Sequence, residues 1–461
     1  MNLDAALHER AASLAATARQ RLAPPFGIER WGRVVQVLGT LIEARLGDVQ
    51  VGELCRLEHS HSGNPAARPT DLLAEVVGFT PSATLLAALS PLEGVSDRTR
   101  VLPLRRSLEI EVGPHLLGCV LDGFGRMMYR APHAPPMPGP EAWRVRVPVV
   151  RDAPSAFERP RISEAMPTGV RAIDGLLTLG VGQRVGVFAG PGCGKTTLMA
   201  AVARGCAADV IVFGLIGERG RELNEFLEHE LDPALVRKTI IVCATSDRTS
   251  MERARAAFTA TAVAEGLRSR GQRVLLLVDS LTRFARAQRE IGLAAGEPPA
   301  RGGFTPSVYT MLPRLIERAG STGEGSISAM YTVLVDADNP SDPIGDEARS
   351  LLDGHIVLAR KLAEQGHFPA IDVLASISRT MGNVTESAHR SSAYGLRRLL
   401  SRYQELEMLI RLGEFRPGAD ALSDRCVEER EQHMSFLRQD TSQGAGFAET
   451  LERLAALGRP L

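Results

Sequence analysis

Lysine occurs at only three positions in this 461-residue chain, Lys195, Lys238 and Lys361, out of 54 basic residues; arginine fills the rest. Lys195 stands in Ala189-Gly190-Pro191-Gly192-Cys193-Gly194-Lys195-Thr196. A glycine-rich loop ending in Lys-Thr cradles phosphates when it joins a strand to a helix. Backbone N–H groups of the loop and helix start surround the phosphates. A slim ammonium reaches the β- and γ-phosphates where arginine's planar fork would not fit. A lysine kept there, in a chain that otherwise uses arginine, argues for phosphate chemistry. Gly192 and Gly194 permit backbone conformations and a close approach that a side chain would block. Thr196 offers a hydroxyl to Mg²⁺. Gly190, Pro191, Cys193 and Thr197 complete the expected nucleotide-binding stretch. The first glycine of the usual pattern is replaced by Ala189, and a dinucleotide-binding fingerprint is excluded because Lys195 occupies its third glycine position.

Two carboxylates supply the remaining chemistry. Arg273–Asp279 is an apolar run ending in an acid. In a parallel sheet the strand C-termini face the ligand crevice, so Asp279 is placed to hold Mg²⁺, through water. Ser280, not a glutamate, follows it, so the group that activates water must come from elsewhere. The apolar run 210–216 leads into Gly217-Glu218-Arg219-Gly220-Arg221-Glu222. Glu218 is the candidate for polarising the attacking water; the alternative is a surface charge cluster in a polar turn. Arg219 and Glu222 are read as structural or interfacial.

The elements that must position these residues follow from periodicity. Runs 185–188, 210–216, 239–242, 274–278 and 330–335 read as buried parallel strands alternating with helices, an α/β core covered on both faces. Short β-rich runs at 33–45, 53–59, 72–80 and 83–89, divided by turn signals, predict a small barrel or sandwich before it. Residues 131–140 are a proline-rich connector. Beyond about Glu386 the chain reads as helical, with Leu396, Leu399, Leu400, Tyr403, Leu406 and Ile410 forming one stripe and Gly413 a stop. Leu3, Leu7, Ala11, Leu14, Ala18 and Leu22 share one face of an N-terminal helix, which either packs on its own domain or docks a partner. The expected divisions are residues 1–25 (amphipathic helix), 26–105 (small β domain), 106–385 (α/β core) and 386–461 (C-terminal helices).

Composition narrows the function. Lys+Arg and Asp+Glu both number 54, which argues against a broadly basic nucleic-acid surface. The six cysteines lack metal-ligand spacing, as expected of reduced cytoplasmic thiols. No secretory leader or uninterrupted apolar span is evident, so any membrane role is expected to be peripheral.

Together these motifs resemble the ATPase of bacterial type III secretion, in the injectisome and its flagellar-export relative, a family related to the catalytic subunit of rotary ATP synthases. The match is carried by Thr168–Asp174, Gly182-Gln183-Arg184, the loop 189–196, 214–222, Asp279-Ser280-Leu281-Thr282-Arg283 and Gly296-Glu297-Pro298-Pro299. It continues through Pro306-Ser307-Val308-Tyr309, 351–358, 366–379, Gly413-Glu414-Phe415 and Phe436-Leu437-Arg438-Gln439. In that family Ala189 is a common substitute for glycine. The resemblance implies a small N-terminal β-barrel, a RecA-like core and a C-terminal helical domain, with six copies in a ring and ATP and Mg²⁺ at subunit interfaces. It gives Glu218 the catalytic-glutamate role and Arg379 that of an arginine finger inserted into a neighbour's site. Phe368 falls where an aromatic ring packs on adenine, although a core phenylalanine is an equal reading. The loop 292–304 would face either the central pore or an ordinary interface. Implied partners are a stator protein at the N-terminal helix, a central-stalk protein in the pore, export-gate membrane proteins and chaperone–effector complexes. The location would be cytoplasmic, peripheral to the inner membrane.

Two other functions compete. A Rho-like hexameric RNA translocase shares this core but needs an aromatic and basic RNA-binding domain; residues 31–100 hold one Trp, one Phe and no Lys or Tyr. A non-catalytic ring subunit would lack the glutamate that stands at Glu218. The 320–326 and 346–360 segments favour the injectisome over the flagellum. Cys193 is read as a small residue in the loop, or as an oxidant-sensitive thiol favoured by the helix N-terminus.

Overall fold

The computed structural model describes residues 31–58, 72–90, 92–335, 342–418, 420–440 and 443–459. The amphipathic stretch 3–22 lies outside them. The chain divides into two compact units, Met1–Arg106 and Ser107–Leu461.

In the first unit six strands close a barrel: Gly32–Leu38, Leu41–Arg45, Leu54–Glu58, Leu72–Phe79, Thr84–Ala88 and Arg100–Pro103. Every ladder is antiparallel, and the inward positions Val34, Ile42, Ala44, Cys55, Leu57, Ala74, Val76, Leu86 and Val101 form its core. Closure leaves no unpaired edge. The run expected at 33–45 is two strands, because the chain turns at Gly39, whose φ of 60° suits glycine.

In the second unit a sheet is built in the order Ile371–Ser378, Gly354–Leu358, Arg184–Ala189, Ser326–Leu334, Arg273–Asp279, Val210–Ile216, Thr239–Ala244, Cys119–Leu121, Met127–Arg130. Its seven inner strands are parallel, and the first and last are antiparallel additions. Val210–Ile216 and Thr239–Ala244 are buried throughout, which is why they read as unbroken apolar runs rather than alternating ones. Helix Ser250–Arg268 covers the middle strands and is buried almost along its whole length. It carries Glu265, whose two oxygens accept from Arg318 Nε (3.1 Å) and Nη2 (2.6 Å), while Arg318 Nη1 donates to the Val149 carbonyl at 2.7 Å. This fork pairing satisfies charges that burial would otherwise penalise by several kcal/mol.

The helical end is Ser387–Arg411, Ala421–Glu428, Arg430–Leu437 and Phe447–Leu457, with a break at Glu429 between the second and third. The long helix gives way to Gly413, at φ 71°. Phe436 and Leu454 come down on helix Arg171–Leu176 at Gly175, where a Cβ would stand 3.1 Å from Phe436 Cζ and 3.5 Å from Leu454 Cδ2. That close seat brings Gln439 against the turn at Gly169: Gln439 Nε2 donates to the Gly169 carbonyl (2.7 Å) and Gln439 Oε1 accepts from Arg171 N (2.9 Å). The Asp174 carboxylate holds the turn from within, accepting from Thr168 N, Thr168 Oγ1 and Gly169 N.

Candidate functional site

The cradle loop leaves strand Arg184–Ala189 and enters helix Lys195–Gly205, as the motif requires. Gly192 and Gly194 both sit at φ 77°, a left-handed conformation costly for other residues. Nothing lies within 4 Å of where a Gly192 Cβ would stand, so the loop faces open space. Cys193 is buried and packs in the core of the sheet, so its thiol is not offered to solvent. Thr196 borders a cleft of about 340 Å³ that Glu218 and Asp279 also line.

Register explains the convergence. Ala189 pairs with Leu334, Leu215 with Asp279 and Ile216 with Ala244, so these strands end on one rim. Asp279 is 1% exposed, and its Oδ1 accepts from Lys195 Nζ at 2.6 Å and from Thr332 Oγ1 at 2.8 Å. Lys195 Nζ also lies 3.8 Å from Glu218 Oε1. The ammonium is thus held between the two carboxylates. Glu218 follows strand Val210–Ile216 after Gly217, and its carbonyl accepts from Ser246 N at 2.9 Å, which fixes the backbone. Its carboxylate pairs with Arg283, whose stem lies across Gly217: a Cβ there would stand 3.2 Å from Arg283 Cδ. Gly217 is therefore glycine both for its φ of 65° and for this crossing.

The Glu218 carboxyl is pushed up to about 7, by burial first and then by a hydrogen bond with Glu222 and the nearby Asp279 charge, against the opposing pull of Arg283 and Lys195. Glu222 moves the opposite way, held below its ordinary range by that same bond. Two carboxyls sharing a proton split in this manner. A group poised near neutrality is suited to taking a proton from water.

Phe368 is 42% exposed, beside the cradle: two of its ring carbons lie 3.8 Å from where a Gly194 Cβ would be. With Arg171, Arg438, Gln439 and Gln443 it lines a second cleft of about 540 Å³. A ring this exposed at the mouth of a cleft is not filling the core.

The structure thus brings Lys195, Thr196, Asp279, Glu218 and Phe368 to one region. It does not bring Arg379. Strand Ile371–Ser378 runs antiparallel to Gly354–Leu358, with Ile371 beside Leu358 near the cradle and Ser378 beside Gly354 at the far end. Arg379 N donates to the Asp353 carbonyl and Asp353 N to that of Arg184, so strand Arg184–Ala189, at ~3.3 Å per residue, puts the Arg379 backbone roughly 17 Å from the cradle of its own protomer. Its guanidinium is exposed and donates only to the Arg349 carbonyl, at 3.3 Å, among the contacts described.

Four contributors were not singled out from sequence: Thr332, Arg283 and the Arg171–Gln439 pair, while Glu222 was read as structural or interfacial and instead lines the cleft. Thr332 carried one signal, a hydroxyl within the otherwise apolar end of strand Ser326–Leu334.

The family model described as "ATP synthase alpha/beta family, nucleotide-binding domain" matches residues 169–378, and that described as "T3SS EscN ATPase C-terminal domain" matches 385–456. The type 3 secretion system ATPase of Pseudomonas syringae pv. syringae is 56% identical over 438 residues, covering 95% of this chain and 96% of its own. The flagellum-specific ATP synthase of Treponema pallidum is 45% identical over 428 residues, covering 92% of each. The assembled ATPase EscN from the enteropathogenic E. coli type III secretion system superposes with a TM-score of 0.84 at 43% identity, covering 93% of this chain and all of that one. A further structure holds EscN in complex with its central stalk EscO; it has a TM-score of 0.83 at 42% identity and covers 93% of this chain and all of that one.

Proposed function

Because this chain belongs to the family of type 3 secretion system ATPases, we propose that it hydrolyses Mg·ATP to drive protein export at the cytoplasmic base of an injectisome, working as a homohexamer. The observation that carries the reading is the Lys195–Asp279–Glu218 cluster on one strand rim. Lys195 exchanges Asp279 for the phosphates when nucleotide enters, and the loop N–H groups receive the phosphate oxygens. Glu218 orients and polarises the attacking water. Phe368 packs on the adenine.

The donors fit Mg²⁺. Asp279 and Thr196 offer hard oxygens, and no group of three or more His, Cys, Asp or Glu that could hold a metal occurs among the described residues. Two protein ligands with phosphate and water filling the remaining positions is the usual Mg²⁺ arrangement. The bound ion supplies charge neutralisation at the transferring phosphoryl group.

Arg379 acts in a neighbouring protomer's site, where a guanidinium stabilises the charge that develops on the γ-phosphoryl. Its distance from its own cradle and its exposure support this reading. Export rather than flagellar assembly is favoured by the greater identity to the Pseudomonas syringae protein, 56% against 45% to the flagellum-specific relative. The complex of EscN with EscO supports a central-stalk protein in the pore, touched by the loop 292–304. A stator at the N-terminal segment, export-gate membrane proteins and chaperone–effector complexes complete the partners; nucleic acid is not one. No helix among the described residues is long and apolar enough to cross a membrane, which is compatible with peripheral attachment.

The test pairs chemistry with export. Lys195→Ala should abolish ATP turnover in the purified protein and cargo secretion in cells where it replaces the native ATPase. Turnover that depends on added RNA would favour the Rho-like alternative and overturn the export reading.

A further inference from the structure

At the end of the sheet remote from the nucleotide clefts, one buried amide makes every hydrogen bond its chemistry allows. Gln183 is 1% exposed. Its Nε2 donates to the Asp353 carbonyl (3.1 Å) and to Ser378 Oγ (3.2 Å). Its Oε1 accepts from Gly180 N (2.8 Å) and from Thr380 Oγ1 (2.5 Å). Two donors and two acceptor sites are the full inventory of a glutamine side chain.

Two of those partners, Ser378 and Thr380, flank Arg379. A third, the Asp353 carbonyl, also accepts the Arg379 backbone N–H at 3.0 Å. Ser378 Oγ passes its own proton to the Thr178 carbonyl at 2.9 Å. The Asp353 carboxylate is itself fixed by Arg184 Nε (3.1 Å) and Nη2 (3.3 Å). The backbone of Arg379 is thus held before, at and after the residue, while its side chain is left exposed.

We infer that Gln183 is a positioning residue for Arg379: by gripping the residues on either side, it fixes how the strand end presents the guanidinium to an adjacent protomer. This deepens the trans reading of Arg379 and rests on it. Gln183 immediately precedes strand Arg184–Ala189, which runs straight into the phosphate cradle. The cradle of one site and the mount of the finger for the next therefore hang from opposite ends of a single strand. Glutamine suits the position because glutamate would offer no donor to Asp353 and Ser378, and leucine would offer nothing to any of the four partners.

The experiment compares Gln183→Leu, Arg379→Ala and the double variant as full-length proteins, each alone and mixed with Glu218→Gln. Gln183→Leu should lower kcat by roughly 10–100-fold, the scale of a misplaced group, with the affinity for a fluorescent ATP analogue within about twofold of wild type. On the Arg379→Ala background it should cost nothing further. Mixing it with Glu218→Gln should restore turnover, because the Glu218→Gln protomer lends an intact finger to the Gln183→Leu protomer's site. Loss of nucleotide affinity, or a defect that adds to that of Arg379→Ala, would mean that Gln183 serves its own cradle and would overturn the inference. Wild-type turnover in Gln183→Leu with Arg379→Ala inactive would remove Gln183 alone; wild-type turnover in Arg379→Ala would remove the finger reading and this inference with it. Should Gln183→Leu fail to fold, Ser378→Ala and Thr380→Val each release one grip and carry the same comparison.

Discussion

At the scale of single residues the site is a balance of charges that nucleotide must disturb. Lys195 is neutralised by Asp279 and Glu218, and Glu218 by Arg283. The raised Glu218 carboxyl gives a pH dependence. Since kcat/KM reports the free enzyme, it should rise with pH through about 7, as Glu218 becomes the carboxylate that accepts a proton. Glu222→Gln removes the partner that shares the proton, so this acid limb should move to lower pH; a limb unchanged in that variant would show that another group titrates. The stability sign runs opposite. The fold holds a proton on Glu218 that the unfolded chain releases from its ordinary value of 4.5 upward, so this group's contribution falls as pH rises from 4.5 to about 7. Lys195, Asp279 and Glu218 were legible in the sequence because each ends a recognisable run. Thr332 and Arg283 were not: threonine is an ordinary strand residue, and an arginine on a helix defaults to the surface. Arg379 was singled out only through the family resemblance, since the role proposed for it needs a second copy of the chain.

At the scale of elements, the parallel strands were readable as apolar runs because both faces are covered. The edges were less so. Cys119–Leu121 and Met127–Arg130 are too short to show a period, and Ile371–Ser378 mixes buried and exposed positions as an antiparallel edge does. Nor did composition reveal that helix Ser250–Arg268 would bury Glu265 against Arg318. That pair predicts an asymmetry. Arg318→Met should destabilise the larger unit by about 3 kcal/mol, because it leaves a buried carboxylate with only the more distant Arg151 and Arg268, each at 3.9 Å, whereas Arg318→Met combined with Glu265→Leu should recover most of the loss. Denaturant unfolding of the three proteins checks this; equal destabilisation in the single and double variants would mean that the pair is not isolated from water.

At the scale of the whole molecule, the proposed role of Arg379 calls for a second protomer, because the residues on the cradle rim and Arg379 occupy opposite ends of one sheet. Light scattering should therefore show mass rising towards six copies when a non-hydrolysable ATP analogue and Mg²⁺ are added, and kcat should rise with protein concentration until assembly is complete. Turnover per chain that is flat through the monomeric range would count against a shared site. The barrel and the helical domain were anticipated as domains from turn spacing and the leucine stripe, which report local burial. The seating of Gln439 beside Gly169 was not anticipated, because it depends on Gly175 admitting Phe436 from a distant part of the chain.

The most direct measurement is single-site turnover with binding read on the same sample. Glu218→Gln should bind Mg·ATP with near wild-type affinity and lose at least ~10²-fold in kcat, the usual contribution of a positioned general base. Hydrolysis at the wild-type rate by that variant would contradict the account.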